Sequence, residues 1–226
     1  MSGRVIVLIP ALNAERLIAP VIAAARRQCE PVVVIDDGST DRTSDVAREA
    51  GAIVLRHPVN RGKGGALKTG FAYAMENGFD GVITLDADGQ HLPADIPKFL
   101  DCHAKSGADL IIGGRAHLFE GMLPRRRLAN RISSWFVAKL SATGITDSQS
   151  GYRFYSANLL RNVKLRTEGF DMETEVIIRA GLARRFHVTT IPIDLGFVDG
   201  VATSHYKPVA DSLRIAWTVF RAKWMW

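Results

Sequence analysis

The sequence predicts an α/β fold: a doubly wound, mostly parallel sheet flanked by helices, with a smaller acceptor-side region. Three observations predict it. Short runs rich in Val, Ile and Leu alternate with longer stretches of helical pattern. The runs are continuously apolar, as in strands buried on both faces of a parallel sheet. Polar clusters follow directly after several of them, where the ligand side of such a sheet lies.

Taken in order, strands are expected at Val5–Ile9, Val32–Ile35, Ile53–Leu55, Val82–Leu85 and Leu110–Ile112. A helix over about Glu15–Gln28 contains Pro20, which marks either its start or a kink. A second helix follows Ser39-Thr40-Asp41, which is N-cap chemistry, and ends at Gly51. A third runs from about Gly65 to Asn77, and a fourth begins near Pro93, a residue the first helical turn tolerates. The second half departs from this alternation. It reads as a basic amphipathic helix at Arg125–Ala142, a short strand at Gly151–Tyr155 and a helix at Phe170–Ala183. Strands are expected at His187–Ile193 and Leu195–Val198, and a last amphipathic helix at Pro208–Trp226.

The 226 residues, 47% hydrophobic and 23% charged, suit one domain with a real core. A net charge of +6 favours an anionic partner. Arg125, Arg126, Arg127 and Arg131 form one basic cluster, and Arg184 and Arg185 a second. Cys29 and Cys102 have no metal-ligand spacing and read as reduced thiols of a cytosolic protein. The N-terminus lacks the basic region and cleavage site of a signal peptide. No apolar run reaches the roughly 20 residues of a membrane span. A cytoplasmic protein, soluble or peripheral at the inner face of the membrane, is therefore expected. No nucleic-acid motif is present, and phosphates explain the basic groups more directly.

Asp86-Ala87-Asp88 is the strongest chemical signal. Residues two apart in an extended segment point the same way, so both carboxylates can address one hard cation. Such a cation bridges diphosphate oxygens. The bland alternative is a turn using Asp for its own hydrogen bonds. Gln90 and His91 stand beside the pair and can complete a metal shell or contact phosphate. Asp36 and Asp37 end the second strand and can accept from a base N–H or a ribose hydroxyl; a helix cap is the alternative. Arg61-Gly62-Lys63-Gly64-Gly65 precedes a helix whose N-terminus attracts phosphate. Its spacing is not that of a Walker A loop. Asp147, Glu173 and Glu175 are acids of the second half that can line an acceptor side, although a helix start explains Glu173 equally well. Lys207 can close over a diphosphate.

With these residues in view, the sequence resembles the family-two inverting glycosyltransferases of GT-A fold. Its pattern is nearest to the dolichyl- and polyprenyl-phosphate sugar synthases, such as dolichyl-phosphate mannose synthase. The matching stretches are Ile9–Glu15, Val34–Asp41, Asn60–Ala66, Asp86–His91 and Ser148–Arg153, in the family's order. In the usual first motif two acids often follow the Asn; here Ala14-Glu15 leaves only Glu15 to carry over. The transmembrane helices of some relatives have no counterpart.

The resemblance implies one GT-A domain over 1–226, with about 1–114 binding the nucleotide sugar and about 115–226 on the acceptor side. It implies that Pro10, Ala11, Glu15, Asp36 and Asp37 surround the base and ribose, and Asn13 and Lys63 are further candidates for substrate binding. Asp86, Asp88 and Gln90 would hold Mg²⁺ or Mn²⁺. Arg115, Arg127 and Arg131 would meet the acceptor phosphate, and Lys207 the donor diphosphate. A lipid phosphate is already ionised and needs no strong base. A sugar hydroxyl needs one, with Asp147 or Glu175 the first candidates. The arginine cluster and the terminal helix, with Trp217, Trp224 and Trp226, favour a lipid-phosphate acceptor reached by peripheral membrane contact. The alternatives are a transferase acting on a saccharide hydroxyl, a nucleotidyltransferase, and a non-catalytic module. A nucleotidyltransferase would usually carry a glycine-rich loop where Pro10–Asn13 stands, and the intact acidic pair argues against a non-catalytic module.

Overall fold

The computed structural model describes residues 3–115, 134–167, 169 and 171–196. Arg125, Arg126, Arg127, Arg131, Lys207 and the segment expected as the last helix lie outside them.

The first half alternates as its apolar runs require: β1 (Val5–Ala11), α1 (Ile18–Arg26), β2 (Val32–Asp36), α2 (Thr43–Glu49), β3 (Ile53–Arg56), α3 (Lys63–Glu76) and β4 (Gly81–Thr84). A 3₁₀ turn at Pro93–Asp95 leads into α4 (Ile96–Ser106), and β5 (Leu110–Gly114) follows. Then come a helical stretch at 134–141 (α5), β6 (Arg153–Ser156), α6 (Ala157–Asn162), α7 (Met172–Leu182) and β7 (Val188–Pro192). Pro20 falls in the first turn of α1, where its missing N–H costs nothing.

The seven strands form one sheet in the order β3-β2-β1-β4-β6-β5-β7. All neighbours are parallel except β6, which runs antiparallel to both β4 and β5. Alternation along β1 sorts its side chains between two cores. Ile6 and Leu8 join α3 and α7 residues such as Leu67, Phe71 and Val176. Val7 and Ile9 join Ile18 and Ile22 of α1 and Phe99 of α4 on the other face. Each such side chain, taken out of water, contributes about 1.5–3 kcal/mol, which is why both helical layers stay in place.

The chain winds outward from β1 to β3, then crosses back through α3 to β4 on the far side of β1. That reversal opens a crevice at the carboxyl ends of β1 and β4, the expected place for a ligand. Close approach of α3 to the sheet depends on Gly70. A Cβ there would overlap both methyl carbons of Leu8. Gly70→Ala gains about 1 kcal/mol of helix propensity, but overpacking of this kind costs about 1–3 kcal/mol. Net destabilisation with a lowered denaturation midpoint is expected, and urea titration checks it.

The strand expected near Gly151–Tyr155 forms as β6 and is inserted antiparallel between β4 and β5, a position on which hydrophobic periodicity carries no information. Of the strand expected at Leu195–Val198 only the first two residues are described, and Leu195 makes one isolated antiparallel bridge, to His91. The short α6 was not anticipated; the Ser156 hydroxyl caps it by accepting from the Leu159 N–H at 3.0 Å.

Candidate active site

Asn13 follows β1 in the left-handed region, with φ of 51°, a conformation Asn tolerates. Its N–H donates to Ser39 Oγ at 2.9 Å, and its Oδ1 accepts from the Thr40 N–H at 2.9 Å. Glu15 Oε2 accepts from the Arg42 N–H at 3.0 Å. These bonds lace the loop after β1 to the loop after β2. Pro10 and Ala11 sit on the same edge, in register with Ile35 and Asp36.

Asp36 is completely buried. It accepts from the Ser39 N–H at 2.8 Å and from the Ser44 hydroxyl. Burial alone would raise its carboxyl pKa, but those hydrogen bonds, with Arg56 nearby, hold it below the usual range. Asp37 is buried as well. Its Oδ1 lies 2.6 Å from His57 Nδ1 and accepts from the Arg61 N–H at 2.9 Å. His57 Nε2 reaches Thr69 Oγ1 on α3 at 2.9 Å. Asp37 therefore positions the Arg61–Gly65 turn and ties it to the end of β2. The sequence reading missed His57, a lone histidine after a short strand with no motif around it.

Lys63 opens α3 and directs its ammonium into the crevice. Nζ lies 2.7 Å from Asp86 Oδ1 and 3.2 Å from Glu173 Oε2. Burial would raise the Asp86 pKa, but the Lys63 charge outweighs it and holds the carboxyl down at about 2. Asp88 Oδ1 accepts from the Gln90 N–H at 2.9 Å. Its carboxyl pKa is raised, first by burial and then by repulsion from Asp86. His91 Nδ1 accepts from the Asp86 N–H at 3.1 Å, and its ring packs on Tyr152 at 5.1 Å between centroids. Burial pushes His91 down to about 4, so a neutral ring braces the Asp86 turn. Among the described residues, no three His, Cys, Asp or Glu side chains converge as a ready-made metal cage.

The loop before β6 forms the opposite wall. Arg153 is buried, and its guanidinium donates to the carbonyls of Ser150, Ser148 and Glu173 at 2.7, 2.8 and 2.6 Å. That brace presses Gly151 against the ion pair: a Cβ at Gly151 would lie 2.6 Å from Lys63 Nζ and 2.9 Å from Asp86 Oδ2. Only glycine lets the backbone come so near.

The two candidate bases are engaged elsewhere. Asp147 is fully buried beneath Arg115, with Nε to Oδ2 at 2.8 Å and Nη2 to Oδ1 at 3.2 Å. Burial would raise this carboxyl, but the guanidinium overrides it and holds the carboxyl low. The Arg115 fork is thus turned inward. Glu175 is also fully buried; its oxygens accept from the backbone of Arg166 and Thr167, the Thr167 hydroxyl, and Arg179 Nε at 2.6 Å. The structure does not bring it to the Lys63–Asp86 cluster. Glu173, two residues earlier, is the acid of α7 that arrives there. A helix start explained it so readily in the sequence that its role as partner of Lys63 went unseen.

The chain has relatives of known kind. The family model for glycosyl transferase family 2 matches residues 6–164. A UDP-N-acetylglucosamine–dolichyl-phosphate N-acetylglucosaminyltransferase of Methanococcus voltae is 30% identical over 217 residues, which cover 85% of this chain and 86% of that protein. An undecaprenyl-phosphate mannosyltransferase of Micrococcus luteus is 31% identical over 206 residues, covering 84% and 82%. In three dimensions the chain is similar to glucosyl-3-phosphoglycerate synthase of Mycobacterium tuberculosis in complex with Mn²⁺, UDP and phosphoglyceric acid. The TM-score is 0.76 at 22% identity, over 98% of this chain and 79% of that one, a likeness of fold. The chain belongs to glycosyl transferase family 2 and carries its chemistry on a GT-A scaffold.

Proposed function

We propose that this protein transfers a sugar, with inversion, from a GDP- or UDP-sugar to a polyprenyl or dolichyl phosphate. The observation that carries the acceptor assignment is the state of the two candidate bases. Asp147 and Glu175 are both fully buried and committed to arginines. A hydroxyl acceptor needs a base to take its proton, whereas a phosphate monoester arrives ionised. The named relatives from Methanococcus voltae and Micrococcus luteus act on lipid phosphates, which supports the same reading.

The donor occupies the crevice between β1 and β4. Its base and ribose lie along Pro10, Ala11, Asn13, Glu15, Asp36 and Asp37, with the last two shaping the pocket from within. Asp86 and Asp88 offer hard oxygens suited to Mg²⁺ or Mn²⁺, with Gln90 beside them, and the diphosphate supplies further oxygens. These donors can hold such an ion weakly on their own, and the diphosphate completes its shell. When bound, the cation supplies neutralisation of the leaving diphosphate. The chain's own groups do the rest. Neutral His91 holds the Asp86 turn, Lys63 adds positive charge at the α3 N-terminus, and Gly151 closes the wall against water. Arg127 and Arg131 receive the acceptor phosphate, and Arg115, with Nε and Nη2 committed to Asp147, contributes through its charge alone.

Among the described residues no helix is long and apolar enough to cross a membrane. Trp135 and Phe136 on α5 are 61% and 42% exposed. Lys139 lies over the Trp135 ring at 5.0 Å. Aromatic and cationic groups together suit a lipid headgroup region, so the proposal includes peripheral contact at the cytoplasmic membrane face.

Incubation with Mn²⁺ or Mg²⁺, a panel of nucleotide sugars and polyprenyl phosphate tests the reading. A mild-acid-labile glycolipid is expected as product. Transfer only to saccharide hydroxyls would overturn the acceptor assignment.

A further inference from the structure

Lys63 occupies an awkward place. Its ammonium bonds Asp86, one of the two carboxylates assigned above to a divalent cation. A dication and an ammonium on one carboxylate repel each other. Lys63 is not a loose surface side chain that can swing into water: it is only 15% exposed, and the backbone at Gly151 covers it. Among the described residues one other carboxylate lies within ion-pair distance, Glu173 at 3.2 Å. Glu173 is itself asymmetric. Oε2 meets Lys63, while Oε1 is buried with no hydrogen-bond partner, 4.0 Å from Arg153 Nε. An orphaned carboxylate oxygen at a buried position is costly and uncommon, and here it lies on the carboxylate that Lys63 already touches.

We propose that Lys63 is a placeholder cation: it holds Asp86 while the metal site is empty and passes wholly to Glu173 when the divalent ion binds. The exchange rests on the metal reading given above. It accounts for two features together. Without the divalent ion, Asp86 still has a counter-charge beside Asp88. In the filled site, the orphaned oxygen of Glu173 gains a donor. The ammonium stays paired throughout and needs no excursion into solvent, so Glu173 acts as a positioning residue and touches neither metal nor sugar.

Binding of Mn²⁺ alone, followed by the electron paramagnetic resonance of the free ion, reads this directly. Asp88→Asn should remove the site. Lys63→Met, with Lys63→Gln as a second variant should the first fold poorly, should bind Mn²⁺ on the order of tenfold more tightly than wild type, since the competing cation is gone. Glu173→Gln should bind on the order of tenfold more weakly, since the displaced ammonium has no anion to meet. In the Lys63→Met background the Glu173→Gln change should lose its effect, which a merely structural role for Glu173 would not produce. Unchanged or weaker binding in both Lys63 variants, or an equal Glu173→Gln penalty in both backgrounds, would overturn the exchange. If wild type shows no Asp88-dependent Mn²⁺ site, the metal reading itself falls and takes this inference with it. If that site exists but ignores Lys63, only the exchange is lost.

Discussion

Asp88→Asn is expected to lower sugar transfer on the order of 1,000-fold while leaving the fold unchanged, an effect of about 4 kcal/mol on the barrier. The substitution is chosen for what it keeps. Asp88 Oδ1 accepts from the Gln90 N–H at 2.9 Å, and an amide oxygen can do the same, so the turn after β4 survives. On the metal assignment proposed above, what disappears is one of two anionic oxygen donors for the cation, and with it charge that would oppose the growing negative charge of the leaving diphosphate. Thermal unfolding should match wild type within a degree or two, while single-turnover transfer collapses. Removal of divalent ions with EDTA should produce the same loss in the wild-type enzyme, restored by Mn²⁺ or Mg²⁺. A variant that turned over at wild-type rate would end the metal assignment.

The second large effect is on stability. Asp147→Ala strips the counter-charge from Arg115, whose side chain is only 15% exposed. Breaking a buried pair from one side costs about 3–5 kcal/mol, because the remaining charge is left without compensation. The lower end is expected here, since Arg115 keeps some access to water. Its pH dependence follows from the depressed folded-state pKa of Asp147. A carboxylate with a lowered pKa contributes fully above its unfolded value, about 3.9. The contribution is lost as pH falls below that value towards the folded one. The gap between wild-type and Asp147→Ala unfolding free energies should therefore be constant near neutrality and shrink below about pH 4. Urea titrations at pH 7, 5 and 3.5 would measure it. A gap that widens with acid would contradict the ion pair.

Much of the architecture was readable from the residues. The apolar runs of β1, β2, β4 and β5 are dense enough in Val, Ile and Leu to mark buried parallel strands, and the polar residues after them mark the ligand edge. What resisted reading is non-local. The place of β6 between β4 and β5 depends on pairings such as Ile83 with Phe154, which no local pattern encodes. The side-chain assignments divide in the same way. Asp86, Asp88 and Lys63 announce themselves through short motifs. His57 and Glu173 reach their partners from 20 and 110 positions away in the chain, so neither could be paired from sequence. Asp147 looked like a free acid for the same reason, since its arginine stands 32 residues earlier. Arg179 lies one helical turn after Glu175, a spacing the sequence does display, and there it was the burial of the pair that could not be read.

The antiparallel strand has a consequence for how this enzyme can be dissected. β4 and β5 do not pair with each other; each joins the other's side of the sheet through β6, which is contributed by the second half of the chain. Severing the polypeptide near position 114 would leave two adjacent strand edges bare at the middle of the sheet, an arrangement that invites misassociation. The first and second halves of the chain are thus woven through one another in a single sheet, and neither can be excised or exchanged as a self-standing cassette.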